Sequence, residues 1–219
     1  MGDVGMINQQ PFHVRDLDSI AGCVKHSNVV INLLGKQELT RNFDLFGSNV
    51  EATHNIARVS KEMGVEHFVH ISAVAADENS PSEFLRRKAE AEAKVLEYYP
   101  NATILRTNVM FAEEDRFLNL IAKWGKIFGF VPLIGSGSNK LRPVYIDDVA
   151  EAVFQVVFDE KLRDRTYELN GPDEMTLREV ARWTLDTCWM NGVKVRSIAP
   201  DLSGWVPAGA SPHEWEIGR

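Results

Sequence analysis

Apolar runs of strand length alternate along this chain with amphipathic stretches of helical length. The clearest run, residues 28–35, is apolar on both faces and rich in β-branched residues, which is typical of a central strand in a parallel sheet. A helical pattern over residues 47–63 stops at Gly64, and a second apolar run follows at residues 67–74. This repetition predicts an α/β fold built around a doubly wound parallel sheet.

The alternation continues on both sides of this unit. Further strands are predicted at residues 6–14, weakly, and at residues 102–106 and 165–169. Further helices are predicted at residues 18–25, 82–99 and 115–128, from an Asp147 or Asp148 cap to Phe158, and at residues 176–190. Residues 131–140, which contain a proline and two glycines, are predicted to form a loop. Residues 198–219 show no period and are predicted to form an irregular C-terminal arm.

Charge and composition exclude several classes of function. The chain has 24 Lys and Arg against 31 Asp and Glu, a formal net charge of −7, which argues against a nucleic-acid partner. No apolar run approaches the roughly 18 residues needed to span a bilayer, so no direct membrane span is expected. The only close pair of histidines, His67 and His70, is predicted to point to opposite faces of a strand, so no metal site is expected.

A serine and a lysine follow the second apolar run at a characteristic spacing. Ser72 lies at the end of the predicted strand, and Lys88 lies in the next helix, four residues after Phe84. This arrangement resembles the short-chain dehydrogenases, in which Tyr-x-x-x-Lys follows a strand that carries a serine. In that family the tyrosine moves a proton, and the lysine lowers the tyrosine pKa and binds a ribose. Because a phenyl ring has no ionisable proton, the resemblance implies that Lys88 holds a ribose while no catalytic residue remains.

Other segments resemble the same family. Asp16-Leu17 resembles its adenine contact, Asn32-Leu33-Leu34-Gly35 resembles its Asn-x-Ala-Gly segment beside the cofactor, and Thr107 to Phe111 resembles its nicotinamide-side loop. Residues 143–150 resemble the P-V-x-V-x-D-V-A segment of its extended and atypical members. The resemblance implies these cofactor-binding residues: Asp16, Leu17, Asn32, Leu33, Leu34, Gly35, Ser72, Lys88, Thr107 and Val109.

Four segments carry a closer resemblance, at residues 1–5, 27–35, 85–89 and 114–119. They are similar to the dehydrogenase-like accessory subunits of mitochondrial respiratory complex I. The most specific of them is Glu-Asp-Arg-Phe-Leu-Asn at residues 114–119, because a generic reductase needs no such sequence there. The resemblance implies a tightly held NADPH, a structural role without catalysis, and other complex I subunits as partners. It also implies a position on the matrix side of the mitochondrial inner membrane.

The glycine-rich G-x-x-G-x-x-G loop, which would seat the pyrophosphate of the cofactor on a helix N-terminus, is absent from the sequence. In a Rossmann sheet of strand order 3-2-1-4-5-6, the strand at 6–14 would be the third and the strand at 28–34 the fourth. The predicted fold is therefore a Rossmann-type sheet lacking its first βαβα segment, over residues 1–197 with a small C-terminal lobe. A separate polypeptide, or an upstream segment, is expected to supply the missing half and share the NADPH.

Two other functions fit the same motifs. An active NAD(P)-dependent reductase or sugar-nucleotide epimerase would share Ser72, Lys88 and residues 143–150, and Phe84 argues against it. A redox-sensing regulator that binds NADP and a partner protein without turnover would use the same cofactor residues. Isolation of the chain within a membrane complex would decide against that regulator.

Overall fold

The computed structural model of the protein describes residues 8–37, 41 and 44–198. Its helices are α1 (Leu17–Val24), α2 (Ala52–Glu62), α3 (Glu83–Tyr98), α4 (Phe117–Phe128), α5 (Ile146–Phe158) and α6 (Leu177–Thr187). Its strands are β1 (Val29–Asn32), β2 (His67–Ala73), β3 (Thr103–Thr107), β4 (Met110–Phe111), β5 (Phe130–Ile134), β6 (Lys140–Leu141), β7 (Val144–Tyr145), β8 (Thr166–Leu169), β9 (Met175–Thr176) and β10 (Lys194–Ile198). A π-helical turn (Gly47–Glu51) precedes α2, and a 3-10 turn (Glu160–Leu162) follows α5.

The main sheet has four parallel strands in the order β1-β2-β3-β8. Its register sets Asn32 beside His70 and Ser72 beside Arg106. Because the strands are parallel, their carboxyl ends meet at one edge of the sheet, where open α/β sheets bind ligands. The parallel α/β sheet predicted from the apolar runs is confirmed.

Local signals set the ends of several helices. The Asp16 side chain accepts a hydrogen bond from the Ser19 amide at 3.3 Å and caps α1. Thr176 and Glu179 form a capping box at the start of α6. Gly64 follows α2 with a φ of 79°, a left-handed conformation that glycine adopts without a steric penalty.

Helices cover both faces of the main sheet. On one face α1, α2 and α3 pack over Phe68 in a core that also includes Ile56 and Val95. On the other face Val156 of α5 packs over residues from two strands, Val69, Ile71 and Leu105. A smaller lobe has its own core, formed by α4, α6 and the β5–β10 pair. Among the described residues, no helix combines the length and the apolar composition needed to cross a bilayer.

The strand predicted at residues 6–14 is wrong over residues 8–14, the part that the structure describes. A strand needs a hydrogen-bonded neighbour, and this segment lies against a helix instead: the Val14 carbonyl accepts a hydrogen bond from the Asn55 side chain of α2 at 2.9 Å. Pro11 also lacks the backbone donor that a strand ladder uses.

The predicted loop at residues 131–140 is wrong over its first part, because residues 130–134 form β5. Val131 and Leu133 are fully buried and alternate with more exposed neighbours, and β10 pairs in parallel along the whole strand. Pro132 is tolerated because β5 has a neighbour on one side only in the described structure. β10 was not predicted and includes Ile198, whereas the rest of the predicted arm, residues 199–219, lies outside the described residues.

The predicted cap of α5 is also wrong. The helix begins at Ile146, one residue before Asp147, and neither Asp147 nor Asp148 caps it. Both carboxylates lie in the first turn, where they face the positive end of the helix dipole. The local acidic signal thus marks the correct end of the helix but not its first residue.

Candidate functional site

A buried polar cluster lies beneath the carboxyl ends of β1 and β2. Asn32 is 3% exposed, and its amide nitrogen lies 3.2 Å from the Thr53 hydroxyl and 3.3 Å from Nδ1 of His70. The side-chain oxygen Oδ1 of Asn32 accepts a hydrogen bond from the backbone N–H of Leu34 at 3.0 Å. This fixes the orientation of the Asn32 side chain, so its nitrogen donates to Thr53 and His70. The cluster thus links β1, β2 and α2.

His70 is neutral in this cluster. Complete burial, with a smaller contribution from the positive charge of Lys88, lowers the pKa of His70 to about 3. Because Nδ1 accepts from Asn32, the ring proton lies on Nε2. That buried Nε2 has no hydrogen-bond partner among the described residues, which is uncommon for a buried polar group.

Lys88 reaches the cluster from α3 and is 7% exposed. Its Nζ donates to the carbonyl of Ile71 at 3.1 Å. Burial lowers the pKa of Lys88 to about 8, and the carboxylate of Glu92 opposes this effect. Glu92 is itself held by two hydrogen bonds from Arg106, at 3.0 and 2.7 Å. The Lys88 ammonium carries three donors and gives one of them to Ile71, so it can donate to a further acceptor.

Ser72 follows Ile71 directly and is 2% exposed. Its hydroxyl is buried and has no hydrogen-bond partner among the described residues, while its carbonyl accepts from the Thr107 hydroxyl at 3.3 Å. The Ser72 hydroxyl has no partner, and the Lys88 ammonium lies on the carbonyl of the preceding residue; groups of these two kinds can bind a polyhydroxylated ligand.

Gly35 permits a close approach between the β1 loop and α3. A Cβ at this position would lie 2.8 Å from Nζ of Lys88 and 3.1 Å from Oδ1 of Asn49. These distances are shorter than normal contacts, so a larger residue would displace the lysine or the loop. Residues 53 positions apart in sequence thus meet at the end of β1.

Asn49 was not predicted as a site residue. It is 1% exposed, its amide nitrogen donates to the carbonyls of Lys36 and Leu45, and its Oδ1 accepts from the Lys36 amide. These hydrogen bonds hold the loop after Gly35 against the π-helical turn. The sequence signal that could have found Asn49 is its position inside a helical pattern. Asparagine side chains compete for backbone hydrogen bonds there, so such a residue marks an irregular turn of helix.

The structure gathers some of the predicted site residues and gives the others mainly structural contacts. Asn32, Gly35, Ser72, Lys88 and Thr107 lie in or next to the polar cluster. Others have different surroundings: Asp16 caps α1, Leu17 and Leu34 pack on the core under α1, Leu33 is 70% exposed, and Val109 packs on the small lobe. The role of all ten toward a cofactor stays a prediction. Phe84 lies half-buried in the first turn of α3, one turn before Lys88.

The low pKa of His70 has a consequence for acid stability. The unfolded chain binds a proton at this residue below its ordinary pKa of 6.5, whereas the folded chain does so only near 3. The free energy of unfolding is therefore expected to fall as pH drops from 6.5 to 3, by up to a few kcal/mol. Urea unfolding of the protein, purified together with the chains it binds, measures this loss.

A His70→Gln variant is expected to lose part of this pH dependence, because it removes the titrating ring and keeps an acceptor for Asn32. His26→Gln is the matched control, since His26 is exposed. Equal pH dependence in the wild-type protein and the His70 variant would contradict the burial of a neutral imidazole.

Comparison with known proteins supports the class that the fold defines. The structure of dTDP-glucose 4,6-dehydratase from Streptomyces venezuelae, solved with NAD, matches 85% of this chain and 65% of its own, with a TM-score of 0.72 and 20% identity. The NAD complex of UDP-glucose 4-epimerase from Thermus thermophilus gives a TM-score of 0.72 at 16% identity, over 85% of this chain and 70% of its own. The chain has the Rossmann-type fold of the short-chain dehydrogenases and epimerases.

The sequence relatives of the chain indicate a narrower family than the fold does. Subunit 9 of the alpha subcomplex of mitochondrial NADH dehydrogenase (ubiquinone) is 41% identical in Arabidopsis thaliana and 39% identical in Mus musculus, over 89% and 84% of this chain. The 40 kDa subunit of NADH-ubiquinone oxidoreductase from Neurospora crassa is 35% identical over 82% of it. The chain is homologous to these mitochondrial complex I subunits and spans about half of their length, 50%, 48% and 47%. No protein-family model matches it.

Proposed function

We propose that this chain is a non-catalytic, nucleotide-binding accessory subunit of mitochondrial complex I. The observation that carries the proposal is the 35–41% identity to the complex I subunits over most of the chain. The polar cluster supports the nucleotide part of it. In this role the chain lies on the matrix side of the inner membrane and contacts other complex I subunits.

The polar cluster fits one half of an NADPH site. The hydroxyl of Ser72 and the ammonium of Lys88 are suited to ribose hydroxyls, and Gly35 leaves room for the lysine to reach them. The sequence contains no glycine-rich loop for the pyrophosphate. When bound, NADPH supplies a transferable hydride, and Phe84 gives the site no proton donor to accompany it.

The open side of β1 supports a shared fold. Within the described structure no strand pairs with β1 on the side away from β2. Ile31 and Leu33 are 41% and 70% exposed, and on α5 the rings of Phe154 and Phe158 lie 4.5 Å apart and are 57% and 70% exposed. Val29 of β1 and Val153 of α5 pack on the same core cluster, so these exposed residues belong to one side of the sheet.

We infer that an upstream segment or a separate polypeptide covers this side. Its first strand pairs with β1, its first helix packs on Leu33 and Phe154, and its glycine-rich loop completes the NADPH site. This chain spans about half of the length of these relatives, and this supports a further segment or chain.

Purification through a tag on this chain tests the proposal. The tagged chain is expected to co-purify with other complex I subunits, and a mass spectrum of the released nucleotide is expected to contain NADPH. Recovery of the chain without complex I subunits would contradict the accessory role. Recovery within complex I but without a nucleotide would contradict only the nucleotide part.

Turnover is expected to be negligible. General acid catalysis contributes roughly 10²- to 10⁴-fold in rate, and Phe84 cannot supply it. An assay of the purified complex with NADPH and a panel of carbonyl substrates measures this. Steady turnover that disappears in a Lys88→Ala variant would favour the reductase or epimerase instead.

A further inference from the structure

Glu92 and Arg106 form an ion pair beside Lys88, and neither residue belongs to the proposed nucleotide contacts. The Arg106 guanidinium donates to both carboxylate oxygens of Glu92, from Nε at 3.0 Å and from Nη2 at 2.7 Å. Such a two-pronged pair fixes the plane of the carboxylate as well as its position. Glu92 is 6% exposed, so its carboxylate is held in the interior, between α3 and β3.

This carboxylate lies on the same face of α3 as Lys88. Residues four positions apart are neighbours on one face of an α-helix, and both Lys88 and Glu92 are buried. The strand register sets Arg106 of β3 beside Ser72 of β2, and Nζ of Lys88 donates to the carbonyl of the residue before Ser72. The ion pair therefore adjoins the end of the polar cluster that carries Ser72 and Lys88.

The other charged and titratable groups around Lys88 do not take the place of Glu92. Each of them, on α3 or on an element packed near Lys88, is neutral, has the same sign as Lys88 or has a partner of its own: His70, Lys36, Arg87 with Glu83 and Glu90, Arg15 with Glu51, Asp44 with the Gly47 amide, and Glu168 beside Arg106. The carboxylate of Glu92 is thus the counterion that the helix itself supplies.

A buried ammonium needs such a counterion to keep its proton. Removal of an ammonium from water favours its neutral form, and an opposite charge nearby favours the charged form. Burial lowers the pKa of Lys88 to about 8, and the Glu92 carboxylate acts in the opposite direction. Because Arg106 binds both oxygens of Glu92, the carboxylate is held toward the interior instead of turning to solvent.

We propose that Glu92 is a positioning residue of the nucleotide site. Its carboxylate, oriented by Arg106, keeps the Lys88 ammonium charged, so that Lys88 can donate to a ribose hydroxyl. The proposal rests on the nucleotide-binding function proposed above, because Glu92 acts on the nucleotide only through Lys88. It extends the site from the strand ends to the ion pair between α3 and β3.

The pH profile of NADPH binding tests the proposal on the chain purified together with the polypeptide that completes its sheet. Glu92→Gln keeps the size of the side chain and removes its charge, and loss of one nearby opposite charge lowers a lysine pKa by about 1. At about pH 8 roughly a tenth of the Lys88 side chains then stay protonated instead of half, so affinity is expected to fall about fivefold.

At about pH 6 the lysine is mostly protonated in both proteins, so nearly equal affinity is expected there. The matched control is Glu90→Gln, on the same helix at a side chain that is 38% exposed, and it is expected to bind like the wild-type protein at both pH values. A pair that only holds α3 to β3 would lose the same affinity at both pH values in the Glu92 variant. That result would overturn the proposal.

Trace labelling with acetic anhydride measures the charge of Lys88 without any nucleotide. Only a neutral amine reacts, so the reactivity of Lys88 against pH, measured by mass spectrometry relative to the exposed Lys25, gives the pH at which Lys88 loses its proton. This pH is expected to fall in Glu92→Gln and to rise in Arg106→Gln, which removes a like charge and leaves the carboxylate to Lys88. Two variants that only loosen the contact between α3 and β3 would not move it in opposite directions.

Each possible failure has its own signature. An unchanged Lys88 profile in Glu92→Gln, or a change in the same direction in both variants, would overturn the role of Glu92. If Glu92→Gln does not fold, Arg106→Gln decides alone, and a profile that does not rise in that variant overturns the proposal. Absence of NADPH binding by the wild-type protein would instead contradict the nucleotide function itself.

Discussion

Expressed by itself, the 219-residue chain is expected not to yield a monomer that unfolds cooperatively. The outer edge of β1 leaves backbone donors and acceptors of a main-sheet strand without a partner strand. Leu33, Phe154 and Phe158 lie more than half exposed near that edge and on α5. Full burial of one such side chain stabilises a fold by about 1.5–3 kcal/mol. A typical domain is stable by roughly 5–15 kcal/mol, so leaving several such side chains exposed removes a comparable free energy. Sedimentation and urea unfolding followed by circular dichroism measure the outcome.

Co-expression with a polypeptide that carries the first βαβα segment and a glycine-rich loop is expected to make the chain soluble. Leu33→Ser is expected to weaken this association, whereas Met63→Ser, on the far end of α2, is not. A soluble monomer of residues 1–219 with cooperative unfolding and a sheet formed only from its own strands would contradict the shared fold.

Replacement of Lys88 by methionine is expected to lower the affinity for NADPH by about 10- to 100-fold. The variant keeps the length of the side chain and removes the ammonium, and a hydrogen bond to a charged group contributes about 1.5–3 kcal/mol. Calorimetric titration of the completed protein with NADPH measures the change. Lys94→Met is the matched control, because Lys94 lies on the same helix and pairs with Glu97 at 3.0 Å near solvent.

The pH dependence of the affinity gives a second readout for Lys88. Its pKa of about 8 leaves the amine protonated below that pH and neutral above it. The affinity of the wild-type protein is therefore expected to fall as pH rises above about 8, and the difference from the Lys88→Met variant is expected to shrink. Equal NADPH affinity in the two proteins at neutral pH would show that Lys88 does not contact the nucleotide.

Local patterns predicted much of the main sheet and part of the site. The alternation of apolar runs and amphipathic stretches identified β1, β2, β3 and β8, because each depends on side chains close together in sequence. The same local reasoning found the spacing of Ser72, Phe84 and Lys88. Lys88 reaches the carbonyl of Ile71, the residue before Ser72, from the helix that follows the strand.

By itself, then, the sequence determined the fold class and the positions of the main strands along the chain. Only the tertiary structure decided which residues from distant segments meet: Gly35 with Lys88, Asn49 with the loop after β1, and β5 with β10. The physical reason is that an apolar run records how much surface a strand buries, whereas pairing partners depend on backbone hydrogen bonds between segments far apart in sequence.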